Sequence, residues 1–501
     1  MKKNAHHVLI IFLVSILTAC ASAPQLQKQA SLESLSITDL HRAIDVVLQD
    51  SILSQTKTGI KIVSLKSGET LYAKDSNLLF HPASNMKLFT TSAALKYLGP
   101  DFRFKTILYA DTSAVEDSTI TGNLYLKGYA DPIFTHDDLR RMVEQLKSQG
   151  IKRISGDIIC DASYLDDLYQ GSGWMWDDVS SWYWPPISSL VVDRNCVTVT
   201  VKPGKAIGDS LIYHITPESG YMKFENHGIT VAPLDTLEMA KFKVQRIWKP
   251  VAKNIIVIEG GRSIDAPPRK FIIDVVDAAA YAGTLLADNL KQSEIVFQGS
   301  IQKGLVPDTS LVLVEHDSKA LSEIVRETNK PSDNLYAEEI LKTLGAEVSG
   351  VPGTAKKGLS VVKEMLTQID VDTTKLQFAD GSGVSRYVLV TPAQIVTLLK
   401  EMNRDFKVQA EFKTSLPIAG TDGTLEHRMQ DTAAKGLLRA KTGTLNGVSA
   451  LSGYTVTADG EPVAFSIIME HFVVPTSRIR AIQDKIGTLI SLYRRTNRLT
   501  Q

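Results

Sequence analysis

"HPASNMKLFTTSAALKYLG", residues 81–99, sets a serine and a lysine three positions apart at the start of a helical pattern. Pro82 and Ser84 stand where a helix opens, and Leu88, Ala94, Leu95 and Leu98 give it an apolar side. Gly99-Pro100 then ends it. Residues three apart lie on one face a turn along, so the Lys87 amine can reach the Ser84 hydroxyl. A helix start also offers unpaired N–H groups and partial positive charge, which suit an oxyanion forming at such a serine. Taken alone, the stretch describes a capping serine beside a solvated lysine equally well.

Spacing does not decide between the two, because S-x-x-K occurs four times, also at Ser54/Lys57, Ser300/Lys303 and Ser360/Lys363. Ser300 lies in the strand-like "IVFQGSIQ", Ser360 falls inside a helical pattern, and Ser54 sits near a helix end. Only Ser84 combines a helix start with an apolar seat. Two later motifs decide the matter: "KPSDN" at 330–334, between two helical patterns, and "AKTGT" at 440–444, on a strand. S-x-x-K, S-D-N and K-T-G in that order resemble the motif set of penicillin-recognising serine enzymes. A second K-T-G at 57–59 precedes Ser84, breaks that order, and is read as the opening of a strand.

Roles follow from the chemistry of these groups. A serine hydroxyl attacks an amide carbonyl only when a base takes its proton, and a lysine of ordinary pKa about 10.4 serves only when its charged form is disfavoured. Burial and a second cation, Lys441, both push Lys87 toward neutrality. Ser332 can pass the proton to the leaving amine, and Asn334 can hold the substrate amide or Lys87. Lys441 with the hydroxyls of Thr442 and Thr444 suits a substrate carboxylate. The strand edge at Gly443–Thr444 would add a backbone N–H to that of Ser84 as an oxyanion hole.

The 501-residue chain carries 55 basic and 55 acidic side chains with 44% hydrophobic residues, which fits two or three globular domains and offers no field for nucleic acid. No H-E-x-x-H and no metal-ligand spacing of cysteines occur, so neither a metal site nor a cofactor is expected. Lys2, Lys3, the apolar run 8–17 and "LTAC" ending at Cys20 read as a secretion signal, too short for a membrane span. "LTAC" resembles a bacterial lipobox, which implies lipidation of Cys20. Residues 21–35 then form a polar tether, and the body lies in the periplasm, anchored to a membrane. Cys160 and Cys196 either pair or stay free and buried.

A helix at 40–53, a hairpin around "KSGE" and the Ser84 helix form one block. A strand at "GLLRAKTGTL", a hairpin turning at 458–461 and a helix at 477–493 form another, so the two termini are expected to build one sheet. Helices are expected at 318–328, 333–344 (stopped by Gly345), 355–369 and 392–402. The middle reads as short strands with one clear helix at 137–149.

At this point the chain resembles the class C low-molecular-mass penicillin-binding proteins, serine D-alanyl-D-alanine carboxypeptidases and endopeptidases. The likeness rests on the three motifs and on "GNLYLKGYADP", "GDIICDASYL", "GWMWDDVSSWYWPPISSLVVDRN", "YAEEILKTLG", "FADGSGVSRYVLVTP" and "LPIAGTDGTLEHR". The long gap from Ser84 to Ser332 sets it apart from class A β-lactamases. The resemblance implies an α/β (α+β) transpeptidase-like domain, an antiparallel sheet flanked by helices, over 36–105 and 306–497. A β-rich insertion of two nested domains is expected over 106–305. It also implies peptidoglycan stem peptides as substrates and β-lactams as covalent inhibitors. Asp161 in "CDAS" matches an aspartate that holds the amine of the stem's diamino acid, though a turn role also explains it. "GYADP" and Leu445 depart from the family pattern. Trp174 and Trp176 are read either as cleft lining or as a buried aromatic cluster, "DGSG" as a turn beside the site, and His81 and His427 as structural. A β-lactamase and a catalytically relict wall-binding scaffold are the alternatives.

Overall fold

The computed structural model describes residues 36–111, 115–175 and 182–495. Cys20, the segment 21–35 and Trp176 lie outside the described residues. Five antiparallel strands make the central sheet, in the order Thr70–Lys74, Lys57–Ser64, Pro462–Glu470, Val448–Val456 and Arg439–Leu445. The N-terminal hairpin thus docks on the C-terminal one, pairing Gly59 with Ile468, and the second K-T-G does open a strand.

Helices cover both faces, so the strand side chains divide by parity. Along Pro462–Glu470, Val463, Phe465, Ile467 and Met469 join a core with Leu40 and Ile44 of the helix Ile37–Leu48 and Ile479 and Ile486 of Thr476–Leu492. Ala464 and Ile468 face a second core with Leu88, Phe89, Leu341 and Leu399. That core gathers Met86–Tyr97, Leu321–Asn329, Asn334–Ser349, Ala355–Gln368 and Pro392–Arg404. Met86–Tyr97 runs through its middle and is buried on every side from Met86 to Leu95. Its polar groups are paired there: Thr90 donates to the Gly381 carbonyl at 2.7 Å and Thr91 to the Lys87 carbonyl at 2.7 Å.

The chain leaves this block along Lys105–Ala110 and returns along Leu311–Asp317, and the two strands pair with each other, Lys105 opposite Asp317. This pairing brings the two ends of the middle segment, expected over 106–305 as an insertion, side by side. Leu311–Asp317 is mostly exposed and lacks the apolar alternation that would betray a strand of a new sheet. Strands Leu124–Gly128, Ile158–Asp161 and Ile301–Lys303 complete that sheet, and two further three-stranded sheets span Cys196–Asp274. All share one apolar cluster. The helix His136–Ser148 falls where expected, but a second one, Ala278–Gln292, does not. Its buried face is wide, and only Thr284, Asp288 and Lys291 mark the opposite side, so the 3.6-residue rhythm that flags a surface helix is weak. Cys160 and Cys196 are free and buried, and burial pushes both thiols up, Cys160 to about 12. Among the described residues no helix is long and apolar enough to cross a membrane.

Gly345 does not stop its helix, which continues to Ser349 and ends before Gly350, at φ 88°. It serves packing instead: a Cβ there would lie 2.8 Å from the Gly358 nitrogen and 2.9 Å from the Thr354 carbonyl oxygen of the neighbouring helix. Gly345→Ala should therefore lower the midpoint of thermal unfolding, because overpacking costs about 1–3 kcal/mol. A glycine of merely weak helix propensity would give the opposite sign, a gain of about 1 kcal/mol and a higher midpoint.

Candidate active site

Ser84 sits in a single 3-10 turn, Ala83–Asn85, directly before the buried helix Met86–Tyr97. Neither this turn nor the helix has a side-chain cap, so the serine hydroxyl is not used as one. The Lys87 ammonium instead donates to it at 3.0 Å. Lys87 is fully buried, and its other two bonds go to Asn334 Oδ1 at 2.7 Å and the Ser382 carbonyl at 2.8 Å. Burial lowers its pKa to about 8, against the opposing pull of Asp380, Asp333 and Glu338.

The second motif lies on the loop between Leu321–Asn329 and Asn334–Ser349. Ser332 there adopts φ 70°, an uncommon conformation for a side-chain-bearing residue. Its hydroxyl accepts from Lys441 Nζ at 2.8 Å. Lys441, also fully buried, donates as well to the Thr442 carbonyl at 2.9 Å, and burial together with the Lys87 charge holds it well below the usual lysine range. Asp333 caps the helix, accepting from the Tyr336 N–H at 3.1 Å, and ion-pairs with Arg194 of the insertion. Asn334 donates to the Tyr183 carbonyl, also of the insertion, at 3.1 Å.

The third motif is the edge strand Arg439–Leu445. Gly443 allows it to lie against the Ser84 turn: a Cβ at 443 would stand 2.6 Å from the Pro82 carbonyl oxygen and 3.1 Å from Ala83 Cβ. Thr442 donates to Thr424 Oγ1 at 2.8 Å, and Thr444 Oγ1 accepts from Arg480 at 3.0 Å. A cleft of about 880 Å³ opens over these groups, lined by Ser84, Ser332, Asn334, Thr442 and Thr444, with Tyr183, Trp184, Leu445 and Arg480 around them. His427, expected to be structural, lines it too, whereas His81 is tied to Glu470 at 2.9 Å.

The three motifs thus converge, but Asp161 does not join them. It is buried in the insertion beside Lys127 Nζ at 3.1 Å, accepts from the Val306 and Ser163 N–H groups, and does not line the cleft. Burial would raise its pKa, yet these hydrogen bonds and Lys127 hold it below the ordinary aspartate value. The structure thus gives Asp161 protein partners and a place in the insertion, apart from the residues that line the cleft. Trp174 reaches the site indirectly, donating to Asp380 Oδ2 at 3.0 Å.

The expected turn beside the site is built by Asp380, and a second buried carboxylate and a cation join it that the sequence alone did not single out. Asp380 gathers the "DGSG" turn by accepting from the N–H groups of Gly383 at 2.9 Å and Ser385 at 2.8 Å. Glu338 accepts from the N–H groups of Gly381 at 3.0 Å and Ser382 at 2.8 Å, aiming the Ser382 carbonyl at Lys87. Burial, then the Asp380 charge, lifts Glu338 to about 7. Glu338 stands four residues after Asn334, one helical turn on, which is the one sequence signal that places it at this site. Arg480, in the C-terminal helix, carried no signal beside that helix's apolar stripe. Among the described residues no cluster suited to a metal ion occurs.

A model of the D-Ala-D-Ala carboxypeptidase 3 (S13) family matches residues 40–491. The D-alanyl-D-alanine carboxypeptidase of Actinomadura sp. (strain R39) is 34% identical over 491 residues, covering 95% of this chain and 88% of that one. The D-alanyl-D-alanine carboxypeptidase DacB of Haemophilus influenzae is 28% identical over 386 residues, 76% of this chain and 79% of that one. The crystal structure of penicillin binding protein 4 (dacB) from Haemophilus influenzae superposes with TM-score 0.79 at 24% identity, covering 90% of this chain and 99% of that one.

Because neutral Lys87 is the form able to take a proton, the rate of Ser84 acylation by an activated ester should rise with pH through a midpoint at about 8. Glu338 raises the Lys87 pKa, so Glu338→Gln should move that midpoint to lower pH, read from stopped-flow acylation rates. An unchanged or higher midpoint would refute the electrostatic link.

Proposed function

Because the chain belongs to the S13 family of D-Ala-D-Ala carboxypeptidases, we propose that its three motifs run one acyl-transfer reaction on peptidoglycan stem peptides. The observation that carries this reading is Lys87 Nζ, buried and 3.0 Å from the Ser84 hydroxyl. Neutral Lys87 takes the hydroxyl proton as Ser84 attacks the carbonyl of the penultimate D-alanine. The tetrahedral oxyanion faces the backbone N–H groups of Ser84 and Thr444. Ser332, hydrogen-bonded to Lys441, hands a proton to the leaving amine, and D-alanine departs. Water then attacks the acyl-enzyme ester and restores Ser84.

The terminal carboxylate of the substrate lies toward Thr442, Thr444 and Arg480. Lys441 Nζ is committed to Ser332 and the Thr442 carbonyl, while Arg480 lines the cleft and already donates to Thr444. Arg480 therefore takes over much of the charge pairing that the motif alone assigned to Lys441. Asn334 holds Lys87 and the insertion together and borders the acyl group. The cleft, with Tyr183, Trp184 and Leu445 on its walls, leaves room for a leaving group larger than D-alanine, which favours cleavage of D-amino-acid cross-links as a second activity of the same site.

A β-lactam ring presents a strained amide in place of the scissile bond, so it acylates Ser84 and leaves slowly. One structure of the Haemophilus influenzae protein holds a β-lactam. The substrate lies outside the cytoplasm, in keeping with the signal-like start and with Cys20 as a lipidated anchor in the periplasm.

Fluorescent penicillin should label the wild type stably and fail to label Ser84→Ala. Labelling of that variant would sink the nucleophile assignment, and prompt loss of label from the wild type would indicate a β-lactamase. Labelled wild type should sediment with membranes, and Cys20→Ala should shift the label to the soluble fraction; an unmoved label would reject the anchor.

A further inference from the structure

A second cavity, of about 460 Å³, lies in the insertion. Its wall includes Trp184, which also lines the catalytic cleft, so one indole separates the two spaces. Trp248, Tyr169 and Gln170 complete the more open side. Deeper, Arg246 donates to Asp274 Oδ2 at 2.6 Å, with 4% and 6% of the two side chains exposed. Arg246 Nε and Asp274 Oδ1 make no hydrogen bond among the described residues, nor does Trp184 Nε1.

Buried polar atoms without partners are costly, and a ligand that pairs with them recovers that cost. No step of the proposed reaction uses this pair. What it offers is a donor and an acceptor side by side, with Asp167 on the same wall, next to the Tyr169 phenol and the Trp248 indole, one face of which is covered by Lys249. An anion would meet the Asp167 and Asp274 carboxylates, and a cation the Arg246 guanidinium and, at the Trp248 ring, the Lys249 ammonium. A neutral pyranose satisfies all of it: its C–H face lies on an aromatic ring, and its hydroxyl or acetamido groups pair with the donor and acceptor.

We infer that this cavity binds an N-acetylated sugar of the glycan strand that carries the stem peptide. The inference rests on the proposed D,D-peptidase reading. A stem of about four residues between the scissile bond and the sugar spans roughly 13 Å when extended. That reach, and the shared Trp184 wall, place the sugar beside the cleft that holds its peptide. The insertion then reads the polymer while the motifs cut the peptide.

Two substrates test it: the free pentapeptide stem ending in D-Ala-D-Ala, and the same pentapeptide stem attached to its disaccharide. KM for the glycan-linked substrate should be lower in the wild type, and Trp248→Ala should raise it about tenfold, the loss of one aromatic contact of about 1.4 kcal/mol. The same variant should leave kcat and KM for the free pentapeptide unchanged, which also shows that it is folded. N,N′-diacetylchitobiose should quench tryptophan fluorescence of the wild type and not of Trp248→Ala. Equal KM values for both substrates in the wild type, an equal effect of Trp248→Ala on both, or displacement of the sugar by free stem peptide would overturn the inference. Release of D-alanine from neither substrate would instead overturn the peptidase reading.

Discussion

Two lysines buried within one polar cluster are the constraint on which the rest depends. A buried ammonium without a counter-charge is costly, and two such groups raise the cost through mutual repulsion. The fold meets that cost with acceptors: Lys87 is held by Ser84, Asn334 and the Ser382 carbonyl, and Lys441 by Ser332 and the Thr442 carbonyl. Each lysine therefore has a hydroxyl among its partners. Deprotonation of the amine and activation of the hydroxyl are then one event, and the pairing that stabilises the fold is the pairing that serves catalysis.

The acceptors come from four separate parts of the chain, which explains why so much structure converges here. Glu338 and Asp380 hold the turn that aims the Ser382 carbonyl, and the tight packing of Gly443 on Pro82 brings Lys441 close. The insertion is part of this frame rather than an appendage. Arg194 pairs with Asp333, the Tyr183 carbonyl accepts from Asn334, and Trp174 clamps Asp380. Removing the insertion would take the ion pair from Asp333, one hydrogen bond from Asn334 and one from Asp380.

The sheet and the convergence of the three motifs were legible because both depend on local regularities: alternating apolar strands, a proline-started helix, and short motifs in fixed order. What escaped depends on contacts between distant segments. Gly345 has the composition of a helix stop, and only the neighbouring helix shows that it is a packing site. Ala278–Gln292 has a wide buried face and only a short polar stripe, Thr284, Asp288 and Lys291, to mark it. Asp161 carried no sign of its partners Lys127 and Val306, which are far from it in sequence. Arg480 was hidden inside a helix read for its apolar face, and it reaches the cleft only through the packing of that helix.

Activation of Ser84 requires Lys87 to be neutral in a substantial fraction of molecules near neutral pH. Its side-chain nitrogen can be followed directly by NMR in protein labelled with ¹⁵N-lysine, the signal assigned by its loss in Lys87→Met. The titration midpoint should lie at about 8. A midpoint near the ordinary lysine value of about 10.4 would mean that Lys87 stays charged, and that Ser84 has no base in it.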